Sequence, residues 1–146
     1  MPPDRDDIGF LLALASRRWN HALERRFAEL GFPEVHASYG ALLVPLFEED
    51  GLRLADLARR SGLSKQALTT MARLLERDGL AERRSDPADR RSTRVFLSAR
   101  GREFRSAAGA AIAELHADAA ERLGERDAER LRALLRRLIV ADGERR

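Results

Sequence analysis

The chain has 146 residues, the length of one ordinary domain or of one domain with an added oligomerisation element. Cysteine is absent, which excludes disulfides, thiolate metal sites and thiol redox sensing, and no apolar run approaches the roughly 18 residues that a membrane-spanning helix needs. The net charge is only +3, but the segment from Arg53 to Arg105 carries 14 basic and 7 acidic residues, a surplus of +7 that is typical of a surface for a polyanion.

Two helices are predicted in the N-terminal third of the chain. The first begins at Asp6 or Asp7, whose side chain can cap the free N–H groups, and its apolar residues keep helical spacing to about Leu30. The second covers roughly residues 34–49. Pro45 lies inside it and cannot donate the backbone hydrogen bond of an uninterrupted helix, so we expect a kink there.

Residues 54–78 follow the pattern of two short amphipathic helices joined by a turn. Gly62 marks the turn, and apolar residues recur at helical spacing on both sides of it. Ser64 can cap the second helix, which ends at Asp78 and Gly79. Two such helices form a helix-turn-helix, although an ordinary helical hairpin has the same pattern.

A basic hairpin is predicted directly after this motif. Residues 80–85 and 94–98 alternate in the manner of β-strands. Seven of the residues between them, DPADRRS, would form the tip of the hairpin. A helix-turn-helix followed by a basic hairpin is a winged helix, so the predicted fold class is mainly α with a small β-hairpin.

The rest of the chain is predicted to be helical. Ser98 can cap a long helix that runs to about Leu123, and Gly124 interrupts it. Residues 125–140 then carry a second apolar stripe with the spacing of an amphipathic helix.

Two motifs give the chain its resemblance to the MarR family of bacterial transcriptional regulators. The stretch D-P-A-D-R-R, followed by V-F-L-S-A-R-G, resembles the wing signature of that family, and SGLSKQALTTMARLLERDGL resembles its recognition helix. The resemblance covers almost the whole chain and implies a single domain over residues 1–146. Within it, residues 52–98 would form the winged helix-turn-helix lobe, residues 99–124 a connecting helix, and residues 1–31 and 125–146 the dimerisation helices.

The predicted recognition helix presents polar side chains away from its apolar stripe. Glutamine pairs well with adenine, lysine and arginine pair with guanine, and threonine can hydrogen-bond or contact a thymine methyl group. The family resemblance implies that this face enters the major groove of DNA. A solvated helix face is the alternative interpretation. The residues assigned to DNA binding on this helix are Ser64, Lys65, Gln66, Thr69, Thr70 and Arg73.

The resemblance also assigns a minor-groove arginine to the wing. Arg91 would enter the groove, where negative potential is concentrated, and Asp89 would hold its side chain by a charge-assisted hydrogen bond. Arg90 is the competing candidate for the groove. The other arginines of the hairpin are expected to face phosphates or solvent: Arg83, Arg84 and Arg94.

A second copy of the chain and a small ligand are further implications of the resemblance. The first and last helices carry more apolar surface than a winged helix can cover, and in the family they interlock with a partner. A two-fold dimer would place two recognition helices about 34 Å apart and bind a palindromic operator in double-stranded DNA. Many members also bind small aromatic or phenolic anions in a cavity that Trp19, His36 and Tyr39 could line here. Packing in the core or in the dimer is the alternative for Trp19, and a structural role is the alternative for the other two.

These motifs favour a cytoplasmic DNA-binding repressor over two other classes of protein. The three histidines are scattered, and no nucleophile–base pair, phosphate-binding glycine loop or metal-ligand cluster is visible, so we expect no enzymatic activity, cofactor or metal. The first residues lack the pattern of a signal peptide. A winged helix used only for protein–protein contact is the main alternative, and the basic segment argues against it.

Overall fold

Helices dominate the fold, and a small three-stranded antiparallel sheet accompanies them. The computed structural model describes residues 2–144 of the chain, with side chains through residue 140. Within this part of the chain, no helix is long and apolar enough to cross a membrane. The predicted fold class is confirmed, since most residues are helical and a β-hairpin follows two short helices. In chain order the elements are α1 (Ile8–Glu29), a 3-10 turn (Ala37–Tyr39), α2 (Gly40–Glu48), β1 (Leu52–Arg53), α3 (Leu54–Ser61), α4 (Lys65–Arg77), β2 (Ala81–Asp86), β3 (Asp89–Leu97), α5 (Ala99–Leu123) and α6 (Glu125–Glu144).

The chain divides into two compact units at a point inside α5. The first unit, Met1–Gly109, contains α1 to α4, the 3-10 turn, the sheet and the start of α5. The second, Ala110–Arg146, contains the remainder of α5 and α6. The domain ranges suggested by the sequence remain predictions, and residues 1, 145 and 146 of those ranges lie outside the described residues.

The core of the first unit is built from the helix-turn-helix and the sheet. Leu57 of α3, Leu68 and Leu75 of α4 and Val95 of β3 are fully buried. Burial of one such side chain stabilises the fold by about 1.5–3 kcal/mol. The strand order is β1-β3-β2, so β3 is the central strand and carries the sheet side of this core.

An aromatic cluster lies around Phe104, near the start of α5. The rings of Phe27 and Phe32 meet the ring of Phe104 edge-on, at centroid distances of 4.8 Å and 5.2 Å. Edge-to-face pairs of this kind are worth about 0.5–1.5 kcal/mol beyond the area that they bury. These contacts fix the end of α1 and the loop after it to the beginning of α5.

The three helix caps predicted from the sequence are confirmed. At α1, Asp7 accepts a hydrogen bond from the backbone N–H of Gly9 at 2.7 Å. At α4, the hydroxyl of Ser64 accepts from the N–H of Ala67 at 3.1 Å. At α5, the hydroxyl of Ser98 accepts from the third residue of the helix at 3.0 Å. Local sequence therefore determines where each of these helices begins.

The second predicted helix begins later than expected. Residues 34–36 are not helical, a 3-10 turn occupies residues 37–39, and α2 follows as a separate element. The reason is a contact with α1, because the carboxylate of Glu24 accepts the N–H of Ala37 at 2.9 Å while His36 stays extended. Pro45 lies inside α2, which continues past it to Glu48, and the expected kink remains a prediction.

Tyr39 closes the 3-10 turn and is part of the core. Only 2% of its surface is exposed, and its hydroxyl donates to the Oδ2 atom of Asp78 at 2.5 Å. Burial, and then the hydrogen bond to this carboxylate, raise the pKa of Tyr39 to about 12. The phenol is therefore neutral in the folded protein well beyond the pH at which a solvated tyrosine ionises.

The start of α5 is bonded to the turn that ends α4. Ser98 donates its backbone N–H to the carbonyl oxygen of Leu80 at 3.0 Å and its hydroxyl to that of Gly79 at 2.6 Å. One turn into the helix, a Cβ added at Gly101 would overlap the same Leu80 carbonyl. The glycine of the V-F-L-S-A-R-G motif is therefore required by a close approach of two backbones.

We expect the stability of the protein to fall as the pH rises from about 10 to about 12. A folded-state pKa above the unfolded value gives stability that is complete below the unfolded pKa and is lost as the pH approaches the folded one. For Tyr39 the rise in pKa corresponds to a loss of roughly 3 kcal/mol of folding stability at most. Thermal unfolding at a series of pH values should show that the stability of Tyr39→Phe falls less over this range, because this variant has no phenol at position 39 to ionise. Equal falls in the two proteins would contradict the buried hydrogen bond.

Two glycines of α5 should respond oppositely to the same substitution. Gly101→Ala should destabilise the protein by about 1–3 kcal/mol, because the new methyl group overlaps a backbone carbonyl that cannot easily move. Gly109→Ala should stabilise it by about 0.5–1 kcal/mol, because that Cβ has open space and alanine favours a helix. Urea unfolding of the two variants measures both effects. Stabilisation by both substitutions would show that the close approach at Leu80 is wrong.

Candidate nucleic-acid interface

The helix α4 is fixed at both ends and along one side. Ser64 caps its beginning, and a Schellman arrangement ends it, in which the N–H of Leu80 bonds to the carbonyl of Leu75 at 2.9 Å and Gly79 adopts a φ of 75°. Leu68 and Leu75 on the inner side are completely buried, as is Ala72 between them. The opposite side of the helix consequently faces outward.

Five of the predicted DNA-binding residues of α4 share this outward side. Lys65, Gln66, Thr70 and Arg73 are exposed, and Thr69 is half-buried. The hydroxyls of Thr69 and Thr70 donate to the carbonyls of Lys65 and Gln66 at 2.9 Å and 3.1 Å. Each threonine therefore offers a methyl group and a hydroxyl oxygen that can accept, rather than a free donor. The sixth residue is the capping serine, whose oxygen is already occupied by the helix.

The hairpin differs from the prediction of a seven-residue tip. β2 and β3 are separated by only two residues, and Asp86 pairs with Asp89 across the turn. Between Ser85 and Asp86 the register shifts, because β3 advances four residues while β2 advances one. Residues 90–92 thus form a bulge without partners on β2, and a bulge of this kind directs side chains out of the ladder.

Asp89 holds the bulge through backbone and hydroxyl groups, whereas its bond to the Arg91 side chain remains a prediction. Its Oδ1 atom accepts the backbone N–H of Arg91 at 3.0 Å, and the hydroxyl of Ser92 donates to its Oδ2 atom at 3.3 Å. The physical reason is the short spacing, since an aspartate readily accepts the N–H two residues ahead in a tight turn. The guanidinium of Arg91 is left exposed.

Asp86 is the buried charged residue under the hairpin tip. It is 1% exposed, and its Oδ2 atom lies 2.8 Å from Nε of Arg53 and 3.2 Å from Nε of Arg94. Its Oδ1 atom accepts the N–H of Ala88 at 3.0 Å. This backbone bond, assisted by the two guanidinium groups, lowers the pKa of the carboxyl despite its burial. One carboxylate thereby joins the tip of the hairpin to β1 and β3.

The expectation that three hairpin arginines face phosphates or solvent remains a prediction, and the structure adds that each of them has a protein partner. Arg83 pairs with Glu76 at the end of α4 at 3.2 Å, and Arg94 pairs with Asp86 as described above. Arg84 pairs with a neighbouring glutamate at 2.8 Å and lies over the ring of Phe96, 4.5 Å from its centroid. These contacts neutralise charge that composition alone assigned to DNA.

Four basic side chains of this lobe have no acidic partner among the described residues. They are exposed, and no carboxylate of the described side chains lies within ion-pair distance of any of them. Two belong to the outward side of α4 and two to the bulge of β3. They are Lys65, Arg73, Arg90 and Arg91, which are also the basic residues that the sequence assigned to DNA.

The three residues suggested for an effector cavity have different surroundings. Tyr39 is buried and its hydroxyl is bonded to Asp78, so it belongs to the core of the first unit. His36 is exposed, with its ring 5.2 Å from that of Tyr39 and Nδ1 3.8 Å from Glu24. Trp19 lies on α1 with 37% of its surface exposed. The structure thus brings His36 and Tyr39 together, and the effector assignment of all three remains a prediction.

Sequence reasoning missed the role of two polar residues. Asp86 was recognised only as part of a motif, although an aspartate two residues before a turn N–H is a local signal for such a bond. The bond between Tyr39 and Asp78 joins residues 39 positions apart, and no local pattern indicates it.

Comparison with known proteins is consistent with this geometry. The MarR family model matches residues 38–93, from the 3-10 turn to the bulge. The chain is 33% identical over 89 residues to the HTH-type transcriptional repressor YetL of Bacillus subtilis, a match that covers 60% of this chain and 52%, about half, of that protein.

Solved structures resemble the chain over nearly its full length. A probable transcriptional regulator from Pseudomonas aeruginosa is 31% identical, with a TM-score of 0.77 over 91% of this chain and 97% of the other. The transcriptional repressor CouR, bound to a 23-mer DNA duplex, is 23% identical and shares the fold, with a TM-score of 0.78 over 95% of this chain and 99% of that one. With its winged helix, its wing motif and these relatives, the chain belongs to the MarR family of transcriptional regulators.

Proposed function

We propose that the protein is a sequence-specific regulator of transcription that binds double-stranded DNA and acts as a repressor without catalysing a reaction. The observation that carries the proposal is the distribution of unpaired charge. Four basic side chains are exposed and have no acidic partner in the described part of the chain: Lys65, Arg73, Arg90 and Arg91. The neighbouring hairpin arginines are paired with carboxylates. The repressor names of YetL and CouR support the same conclusion.

Specificity would come from the outward side of α4 in the major groove. Lys65 and Arg73 can donate to guanine, and Gln66 can make two hydrogen bonds to adenine. Thr69 and Thr70 donate within the helix, so they suit an acceptor role or a thymine methyl group. These contacts distinguish base pairs, while phosphate contacts only position the protein.

The bulge would supply the minor-groove contact. Arg91 is exposed at its centre, and its backbone N–H is held by Asp89. A narrow minor groove concentrates negative potential and attracts an unpaired guanidinium. Arg90 precedes it in the bulge and remains the competing candidate.

A homodimer with two-fold symmetry would present two such lobes to a palindromic operator. The support is apolar surface that stays exposed in one copy: Ile8, Leu11 and Leu12 on α1 and Leu131, Leu134 and Leu138 on α6 are each at least 42% exposed. Exposed apolar area of this kind commonly marks a protein interface. Sedimentation of the full chain as a monomer at micromolar concentration would contradict the dimer.

Release from DNA by a small aromatic or phenolic anion, and a cytoplasmic location, complete the proposal. Trp19, His36 and Tyr39 stay the candidate effector residues, and His36 with Trp19 are the exposed ones. Since Trp19 is the single tryptophan, its fluorescence reports on such a ligand. If a panel of aromatic carboxylates changes neither this fluorescence nor the affinity for DNA, the proposed release by an effector is contradicted.

The alternative is a winged helix that contacts only another protein. The two functions differ in their response to salt, because each phosphate neutralised by a basic side chain releases a counterion. Affinity for double-stranded DNA that does not fall as salt rises would favour the alternative.

Arg73→Ala should weaken binding to the preferred DNA sequence by about 1–3 kcal/mol if Arg73 makes a good base contact. The preferred duplex is the one that the wild-type protein recovers from a random-sequence library, and a scrambled duplex of the same composition is the reference. Arg126→Ala in α6 removes the same charge outside the winged helix and serves as the control. Equal losses on both duplexes would mean that Arg73 contacts only phosphate.

Asp89 offers a test that separates charge from geometry. Asp89→Asn removes the negative charge but keeps an oxygen that can accept the N–H of Arg91, whereas Asp89→Ala removes both. If Asp89 positions the bulge, fluorescence anisotropy should give weaker DNA binding for alanine, because the released backbone of the bulge loses about 1–2 kcal/mol of conformational freedom per residue when binding fixes it. The asparagine variant should bind at least as tightly as wild type. Tighter binding by both would leave the wing a plain basic surface.

A further inference from the structure

The C-terminal end of α4 is held by a polar contact that the DNA-binding residues do not use. Asp78 ends this helix, and its carboxylate accepts the hydroxyl of Tyr39 at 2.5 Å and lies 3.1 Å from Nε of Arg77. Tyr39 is 2% exposed, so its ring cannot move without disturbing the core. The contact is therefore a rigid point at the end of the helix opposite to its first turn.

On the other side of this contact, Tyr39 belongs to a turn that is bonded to α1. Tyr39 is the last residue of the 3-10 turn, whose first N–H, at Ala37, is accepted by Glu24 of α1 at 2.9 Å. The ring of His36 packs edge-on against Tyr39, 5.2 Å between centroids. Two hydrogen bonds, one on each side of the turn, thus join the C-terminal part of α1 to the end of α4.

Because α4 is long, a small change in its direction displaces its first turn. Thirteen residues span about 18 Å between the first and the last Cα atom. If the C-terminal end is released, the helix can tilt about its packed middle near Ala72, and a tilt of about 5° then moves the first turn by roughly 0.9 Å. That displacement breaks a hydrogen bond whose usable range is only about half an ångström wide. The candidate base contacts begin at Lys65, in that first turn.

We infer that Tyr39 is a positioning residue for sequence recognition, because its bond to Asp78 fixes the direction of α4. The inference rests on the proposed DNA-binding function. Base contacts require a set geometry, whereas attraction between flexible basic side chains and phosphates tolerates a shift of one or two ångströms. Loss of the hydroxyl should consequently weaken binding to the preferred sequence more than binding to DNA of any sequence.

Packing is the competing explanation for the direction of α4. Leu68, Ala72 and Leu75 are completely buried along its inner side and resist a translation of the helix. If this packing alone determines the direction, the hydroxyl of Tyr39 adds stability but not specificity. The two explanations differ in a ratio of affinities, which a purely structural role does not change.

The test compares Tyr39→Phe with wild type on two duplexes. One is the sequence that the wild-type protein recovers from a random-sequence library, and the other is a scrambled duplex of the same composition. We expect about a tenfold loss of affinity for the first and less than about twofold for the second, since a good base contact alone is worth this much discrimination. Ser38→Ala is the matched control, because it removes an exposed hydroxyl of the same turn that bonds to no described residue.

A second pair of variants keeps the test valid if the fold of Tyr39→Phe is weakened. Asp78→Asn keeps an oxygen for the tyrosine hydroxyl and should preserve discrimination, whereas Asp78→Ala should lose it. Combined with Asp78→Ala, Tyr39→Phe should then cause no further loss, as expected of two residues that act through one contact. Additive losses would overturn the inference.

Two other results would also overturn the positioning role of Tyr39, and only one of them contradicts the proposed DNA-binding function as well. Full discrimination in Tyr39→Phe would overturn the positioning role and leave the DNA-binding proposal intact. A wild-type protein that binds all duplexes equally would remove the proposed function and this inference together.

Discussion

The buried carboxylate of Asp86 is the interaction on which the geometry of the winged helix depends. A buried carboxylate is stable only when nearby donors and charges compensate it, and here Oδ1 accepts a backbone N–H while Oδ2 lies within ion-pair distance of two guanidinium groups. Arg53 stands at the start of α3, and Arg94 also donates to the carbonyl of Gly51 at 2.8 Å. The hairpin is therefore held to the helix-turn-helix by charge as well as by its strands, and the bulge occupies a defined place.

The arginines of the lobe fall into two groups that sequence composition does not distinguish. Those paired with carboxylates, such as Arg53 and Arg83, brace one element against another. Those without a described partner lie on the outward side of α4 and in the bulge. Arginine therefore serves in this lobe both as internal support and as exposed charge. An arginine with a carboxylate nearby takes the first role, and one without takes the second. This division explains how a lobe with many arginines leaves only four basic side chains without an acidic partner among the described residues.

Sequence reasoning succeeded where the deciding interaction is local. Ser64 and Ser98 cap helices within three residues of themselves, and the turn at Gly79 follows from its own backbone freedom, so pattern alone locates these boundaries. It failed where distant parts of the chain meet. The hairpin tip is shorter than predicted because Asp86 is drawn under it by residues of β1 and β3, and the second helix starts late because Glu24 of α1 captures the N–H of Ala37. The polar partner of Tyr39 depends in the same way on a tertiary contact.

The bulge at residues 90–92 has a consequence for protein engineering. Because these residues have no partners on β2, the pairing on either side of them is set elsewhere, by Asp86 opposite Asp89 and by Ser85 opposite Thr93. The residues on both sides of the bulge are paired between the strands, whereas those of the bulge are not. The bulge can therefore change in length or composition without altering the sheet. The bulge is in this sense an exchangeable loop, and its proposed contact with the minor groove can be redesigned independently of the core that carries it.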